Sequence, residues 1–78
     1  MAQIRSYSES FGDNIRKLRQ RRSWSQDDLA DASGLHRTYI SGIERGIRNP
    51  TLSIIVQIAK ALKVRPGVLL REGADDAT

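Results

Sequence analysis

The chain has 78 residues, no cysteine, and a net charge of +4 from 13 Lys and Arg residues against 9 Asp and Glu residues. This length fits one domain, because a second core would need roughly 100 more residues, and we expect no separate effector-sensing domain. The lack of cysteine excludes disulfides and thiolate metal sites, and a zinc site around the one His would need several carboxylates. We predict neither a metal nor a cofactor. No apolar stretch approaches the roughly 20 residues of a membrane span and no signal peptide opens the chain, so we expect a cytoplasmic protein.

The basic residues are unevenly placed along the chain. Between Ala32 and Arg71 the only acidic residue is Glu44, and the other acids lie before and after this stretch. The seven basic residues of the stretch are Arg37, Arg45, Arg48, Lys60, Lys63, Arg65 and Arg71. A one-sided basic surface indicates a polyanionic partner, and a merely solvated face is the alternative interpretation.

Apolar periodicity and capping residues predict five helices and no strand, which makes the fold class all-α. The predicted helices run over residues 10–22, 26–32, about 36–45, 52–63 and 65–71. Residues 1–9 are polar and aperiodic and are predicted to form a flexible arm, and the acidic tail 72–78 is predicted to be disordered. The domain is therefore expected to span residues 10–71.

Each helix carries an apolar face and a recognisable start or stop. Ser10 with Asp13 resembles a capping box for the first helix, and Ser25 is a good N-cap for the second. Gly34 is free to adopt the positive φ that ends the second helix. The residues expected to face the core are Phe11, Ile15, Leu18, Leu29, Ala30, Ala32, Ile40, Ile43, Leu52, Ile55, Ile58, Ala59 and Leu62.

The stretch from Gln26 to Ile43 carries the functional signal. Two short helices flank a turn that contains Gly34, with the small Ala30 placed where the third helix would cross closely. Ile40 and Ile43 would fix the third helix to the core, which leaves its outer face protruding. A protruding helix of this kind can enter the major groove of DNA.

The residues of this stretch resemble those of the Cro/cI-type helix-turn-helix proteins, the XRE family. The resemblance rests on Ser25–Ala30 and Ile43–Gly46 and covers about Phe11 to Leu70. The run His36–Gly46, followed by Arg48-Asn49, is similar to the controller proteins of bacterial restriction–modification systems, which are small dimeric regulators. The resemblance implies a compact, lambda-repressor-like five-helix domain.

Two residues depart from the family pattern. Ser23 stands where relatives usually carry glycine, and a left-handed conformation there would cost about 1–2 kcal/mol. Gly42 lies at an outward position where many relatives place a base-reading side chain. We interpret Gly42 as letting the helix approach the groove closely, with tolerated surface variation as the alternative.

The resemblance implies base reading from the start of the third helix. We predict base-reading positions at Arg37, Thr38, Ser41 and Gly42. Arg37 can donate two hydrogen bonds to guanine O6 and N7, and the Thr38 methyl can contact a thymine methyl. The predicted backbone-binding positions are Gln26, Tyr39, Arg45, Arg48, Asn49 and Thr51. Simple solvent exposure is the alternative for the polar residues, and Tyr39 could instead cover the core edge.

Other positions are assigned structural roles. The family pairs the positions of Arg19 and Glu44 in a salt bridge that holds the first helix to the third. The lone His36 is interpreted as a cap or backbone partner of the third helix, with a DNA contact as the alternative.

A dimer is expected because one recognition helix reads about four to six base pairs, too few to select a genomic site. A self-complementary apolar patch is predicted at Ile47, Ile54, Val68 and Leu70, and scattered exposed apolar residues are the alternative.

These features together predict a transcription regulator that is not an enzyme, since no side chains are spaced to complete a catalytic site. It would bind an inverted repeat of double-stranded DNA as a homodimer in the nucleoid, with RNA polymerase as a further candidate partner. By resemblance it would control a restriction–modification operon. The alternative is a protein-interaction module, antitoxin-like or a co-regulator, without sequence-specific DNA binding.

Overall fold

The computed structural model describes residues 7–71, which form five helices and no strand. The helices are α1 (Tyr7–Arg21), α2 (Gln26–Ser33), α3 (Arg37–Glu44), α4 (Leu52–Leu62) and α5 (Pro66–Leu69). α1 packs against α3 and α5, and α4 packs against α2 and α5. The predicted all-α class and the number of helices are confirmed. Most of the predicted arm and the whole predicted tail lie outside the described residues.

The core collects apolar side chains from all five helices. Its largest fully buried side chains are Ile15, Leu29, Ile40, Ile43, Ile58, Leu62 and Leu69. Burial of each such side chain contributes about 1.5–3 kcal/mol. Trp24 packs on the edge of this core, and the guanidinium carbon of Arg22 lies 5.2 Å from the centroid of its ring.

The start of α1 differs from the prediction. The helix begins at Tyr7, three residues earlier than expected, so residues 7–9 do not belong to a loose arm. Ser10 is buried inside the helix and cannot be its cap. The early start has a tertiary cause, because the backbone of Glu9 lies against Gly46, the turn residue that follows α3. Glu9 also places a negative charge near the positive end of the helix dipole.

The start and end of α2 match the sequence prediction closely. The Asp28 amide donates to Ser25 Oγ at 3.0 Å, and the Ser25 amide donates to Asp28 Oδ2 at 2.8 Å, which completes a capping box. Gly34 ends the helix with φ 76°. Ala32 is exposed, so its predicted place in the core is wrong, and Ser33 is buried instead. The left-handed conformation expected at Ser23 is present, with φ 58°.

The inner face of α4 begins later than predicted. Leu52 is 74% exposed and does not join the core. Ile54 and Ile55 are half-buried and pack against the core. Thr51 caps the helix by accepting a hydrogen bond at Oγ1 from the Ile54 amide at 3.3 Å.

Candidate nucleic-acid interface

α3 presents one face to the core and the other to solvent. Ile40 and Ile43 are buried, whereas Arg37 and Thr38 are exposed on the first turn and Ser41 is half-buried. The periodicity of the helix therefore brings three of the predicted base-reading residues to its accessible side.

The N-terminus of α3 has no side-chain cap. His36 occupies the N-cap position, but its side chain makes no capping hydrogen bond, whereas its carbonyl accepts from the amides of Tyr39 and Ile40 at 3.0 and 3.1 Å. The side-chain capping role considered for His36 is therefore not seen, and the carbonyl makes the bonds that the N-cap residue of any helix makes. The first-turn amides of α3 lack a side-chain acceptor within the helix, and such groups favour an anion.

Arg48 covers the position that was expected to be bare. A Cβ atom added at Gly42 would lie 2.9–3.1 Å from Cγ, Cδ and Nε of Arg48, and Gly42 is buried. The Arg48 guanidinium carbon also lies 5.5 Å from the centroid of the Tyr39 ring. The expectation that Gly42 presents open backbone outward is wrong in this structure, because the missing side chain makes room for Arg48.

A partly buried hydrogen-bond network around Glu44 connects the first three helices. Glu44 accepts hydrogen bonds from Arg19 Nε at 2.7 Å, from Arg19 Nη2 at 3.0 Å and from Gln26 Nε2 at 3.1 Å. Arg19 Nη1 donates to the Trp24 carbonyl at 2.8 Å. The hydrogen bond to Glu44 raises the pKa of Arg19 above its usual value despite its burial. The predicted Arg19–Glu44 ion pair is confirmed, and it fixes the last turn of α3 to α1.

The loop between α3 and α4 carries most of the predicted backbone-binding residues. Arg45, Arg48, Asn49 and Thr51 are all exposed, whereas Tyr39 is half-buried and packs against the core. These residues lie on α3 and the loop that follows it. Gln26 lies apart in sequence, at the first position of α2, and Glu44 joins it to the end of α3.

Two residues that position α3 and α5 were missed from sequence. Gly12 is buried against the carbonyl groups of Ile43 and Glu44 at the end of α3. Asn14 is buried and its amide group donates to the carbonyl of Leu69 at 2.8 Å and to that of Arg71. The sequence does contain a signal for Asn14, because a polar amide three residues after Phe11 lies on the apolar stripe of α1.

Comparison with known proteins assigns the fold to a family. A helix-turn-helix family model matches residues 15–69. The chain belongs to the XRE-type helix-turn-helix family. It is 47% identical over 66 residues to the control protein C.SmaI of Serratia marcescens, covering 83% of this chain and 79% of that protein. It is 52% identical over 61 residues to the control protein C.BamHI of Bacillus amyloliquefaciens, covering 77% and 75% of the two chains.

A solved structure of an XRE-type relative contains DNA. The restriction–modification controller protein C.Esp1396I, crystallised as a tetramer in complex with its natural 35 base-pair operator, superposes with a TM-score of 0.77. It is 39% identical, and the match covers 85% of this chain and 87% of that one. The XRE-type family consists of DNA-binding transcription regulators, which are not enzymes.

The described part of the chain offers few sites of other kinds. Within residues 7–71, no three His, Asp or Glu side chains gather closely enough to bind a metal ion. None of the five helices has the length and apolar character needed to cross a membrane.

Proposed function

We propose that this XRE-type chain is a sequence-specific regulator that binds an inverted-repeat operator as a homodimer and controls a restriction–modification operon. The observation that carries the proposal is the placement of α3, which buries Ile40 and Ile43 and leaves Arg37 and Thr38 exposed on its first turn. A helix held in this way can insert its N-terminal half into a major groove.

Base reading is assigned to the accessible side of α3. Arg37 reads guanine through two hydrogen bonds, which discriminate by about 1–3 kcal/mol, and Thr38 contacts a thymine methyl. Ser41 lies one turn further along the same helix and supplies a hydroxyl. The Arg48 side chain covers Gly42, so at that point it lies between the helix backbone and the DNA.

Backbone binding is assigned to the two ends of the helix-turn-helix. Gln26 retains one N–H for a phosphate after it donates the other to Glu44. On the other side, the positive charges of Arg45 and Arg48 attract the phosphates that flank the groove, and Asn49 and Thr51 lie on the same exposed loop.

The homodimer is proposed because one α3 reads too few base pairs to select a genomic site. Ile47 and Leu70 are 67% and 47% exposed, which is high for large apolar side chains. Ile54 and Val68 are half-buried on α4 and α5, two helices that pack against each other. The four residues supply apolar area for a two-fold contact, with Ile54 contributing less than predicted because it also packs on the core.

The restriction–modification role rests on the relatives. C.SmaI and C.BamHI are both control proteins, and this chain matches three quarters or more of each. C.Esp1396I is a restriction–modification controller that binds its own operator. The direction of regulation would depend on where the operator lies relative to the site of RNA polymerase.

The test is a selection of binding sites from a random duplex DNA pool at near-physiological salt, because backbone attraction alone can mimic affinity at low salt. We expect an enriched inverted repeat with half-sites about one helical turn apart. The Arg37→Ala variant should relax the preference at one position in each half-site while it remains folded. Salt-sensitive binding without an enriched sequence would overturn the proposal and favour the protein-interaction module.

A further inference from the structure

An acidic residue lies beside the arginine that we assign to base reading. Arg37 Nε is 3.5 Å from Asp27 Oδ1, so α2 and α3 are joined by an ion pair on the outer surface. The two side chains are 60% and 73% exposed. Exposed pairs of this kind contribute little to folding, so an effect of this contact on DNA binding can be measured without a large loss of stability.

Asp27 differs from the two other acids of α2. Asp28 completes the capping box with Ser25. Asp31 is exposed one turn further along the helix and takes part in no described ion pair or hydrogen bond within residues 7–71. Asp27 alone among the three contacts Arg37. A carboxylate at this place also repels the DNA backbone, which lowers affinity for DNA of any sequence.

We propose that Asp27 is a specificity-determining positioning residue that holds Arg37 for guanine and away from phosphate. This inference rests on the proposed function, since it requires Arg37 to read a base. With the carboxylate on the Nε side, the terminal Nη1 and Nη2 groups remain the free edge of the guanidinium. That edge can donate to guanine O6 and N7 together.

The Asp27 carboxylate also affects how strongly Arg37 binds a DNA phosphate relative to a guanine base. A lone arginine beside DNA binds a phosphate of any sequence equally well, because phosphate contacts carry no sequence information. A negative charge 3.5 Å from Arg37 partly neutralises it towards phosphate. The guanine contact depends more on the direction of two hydrogen bonds than on charge. Asp27 therefore weakens it less than it weakens a phosphate contact. Asp27 therefore raises specificity at the expense of total affinity.

The experiment repeats the duplex selection with five versions of the full chain, namely the unmodified protein and the variants Asp27→Asn, Asp27→Glu, Asp31→Asn and Arg37→Ala. Asp31→Asn is the matched control, because it removes the same charge from the same helix without touching Arg37. The melting temperature of each variant establishes that it is folded. The enriched operator and a copy with the affected base pair replaced are then compared by fluorescence anisotropy.

We expect Asp27→Asn to flatten base preference at the same half-site position as Arg37→Ala. A bidentate arginine contact discriminates guanine by a factor of about 5 to 150, and we expect Asp27→Asn to lower that factor about threefold or more. Asp27→Glu should retain the preference, since it keeps the carboxylate. Asp31→Asn should raise affinity for both duplexes alike and leave the preference unchanged.

The possible failures are distinguishable. An unchanged preference in Asp27→Asn, with a flattened position in Arg37→Ala, would overturn the role of Asp27 and leave the proposed function standing. An equal loss of base preference in Asp27→Asn and Asp31→Asn would mean that net charge alone causes the effect, and this too would overturn the role of Asp27. If the unmodified protein enriches no sequence, the proposed function fails and this inference fails with it.

Discussion

Gly12 offers a direct test of how closely α1 approaches the end of α3. A Cβ atom added there would lie 2.7 Å from the carbonyl oxygen of Glu44 and 2.9 Å from its carbonyl carbon, and would also meet the carbonyl oxygen of Ile43. These atoms belong to the backbone and cannot rotate away. In Gly12→Ala, alanine favours the helix by about 1 kcal/mol, whereas overpacking costs about 1–3 kcal/mol. We place the cost near the upper end, so that the net loss is about 1–2 kcal/mol.

The matched control is Gly67→Ala in α5. A Cβ atom at Gly67 would meet nothing within 4 Å, so the same substitution should stabilise the protein by about 0.5–1 kcal/mol. Each 1 kcal/mol shifts the melting temperature of a domain this size by about 4–8 °C. Thermal unfolding followed by circular dichroism should therefore move in opposite directions for the two variants. If Gly12→Ala is as stable as Gly67→Ala, the close packing of α1 on α3 does not constrain the fold.

Three further predictions address DNA binding, the hydrogen-bond network around Glu44, and the dimer. Gly42→Ala should leave the melting temperature unchanged or raise it, but it should lower operator affinity about tenfold by displacing Arg48, as measured by fluorescence anisotropy. Unchanged affinity would contradict the position that we assign to the Arg48 side chain. Glu44→Ala should lower the free energy of unfolding in urea by about 2–3 kcal/mol, because the partly buried guanidinium of Arg19 loses its carboxylate partner and keeps only its hydrogen bond to the Trp24 carbonyl; a loss under about 1 kcal/mol would refute this. Leu70→Asp should dissociate the dimer in sedimentation equilibrium, whereas Leu52→Asp, at a still more exposed leucine outside the proposed patch, should leave it intact; equal behaviour of the two would remove Leu70 from the interface.

The helices could be predicted because their determinants are local. Ser25 and Asp28 lie three residues apart and cap each other, and Gly34 adopts the positive φ that its missing side chain permits. Ile40 and Ile43 follow the helical period and face the core. Signals of this kind are contained within a few residues, so they can be read without knowledge of the rest of the chain.

The errors arose where distant segments decide the outcome. Leu52 continues the apolar period of α4, but it is 74% exposed, whereas Ile54 and Ile55 of the same turn pack against the core. Gly42 is expected to leave bare backbone on the outer face of α3, and only the path of the following loop brings Arg48 over it. α1 begins at Tyr7 because its first turn is held by a contact with a residue beyond α3. No periodicity encodes these long-range contacts.

The hydrogen bonds of Asn14 have a consequence for the DNA that a dimer can recognise. They hold the chain around Leu69 against α1, and the opposite side of the same helix carries the end of α3 through Gly12 and Arg19. α1 thus joins the reading helix rigidly to the segment that carries Leu70. One base pair inserted between half-sites rotates the second site by about 34°. Within residues 7–71, no hinge lies along this path that would let the second α3 of the proposed dimer turn with the second half-site. We therefore expect the distance between half-sites to be selected as strictly as their base sequence.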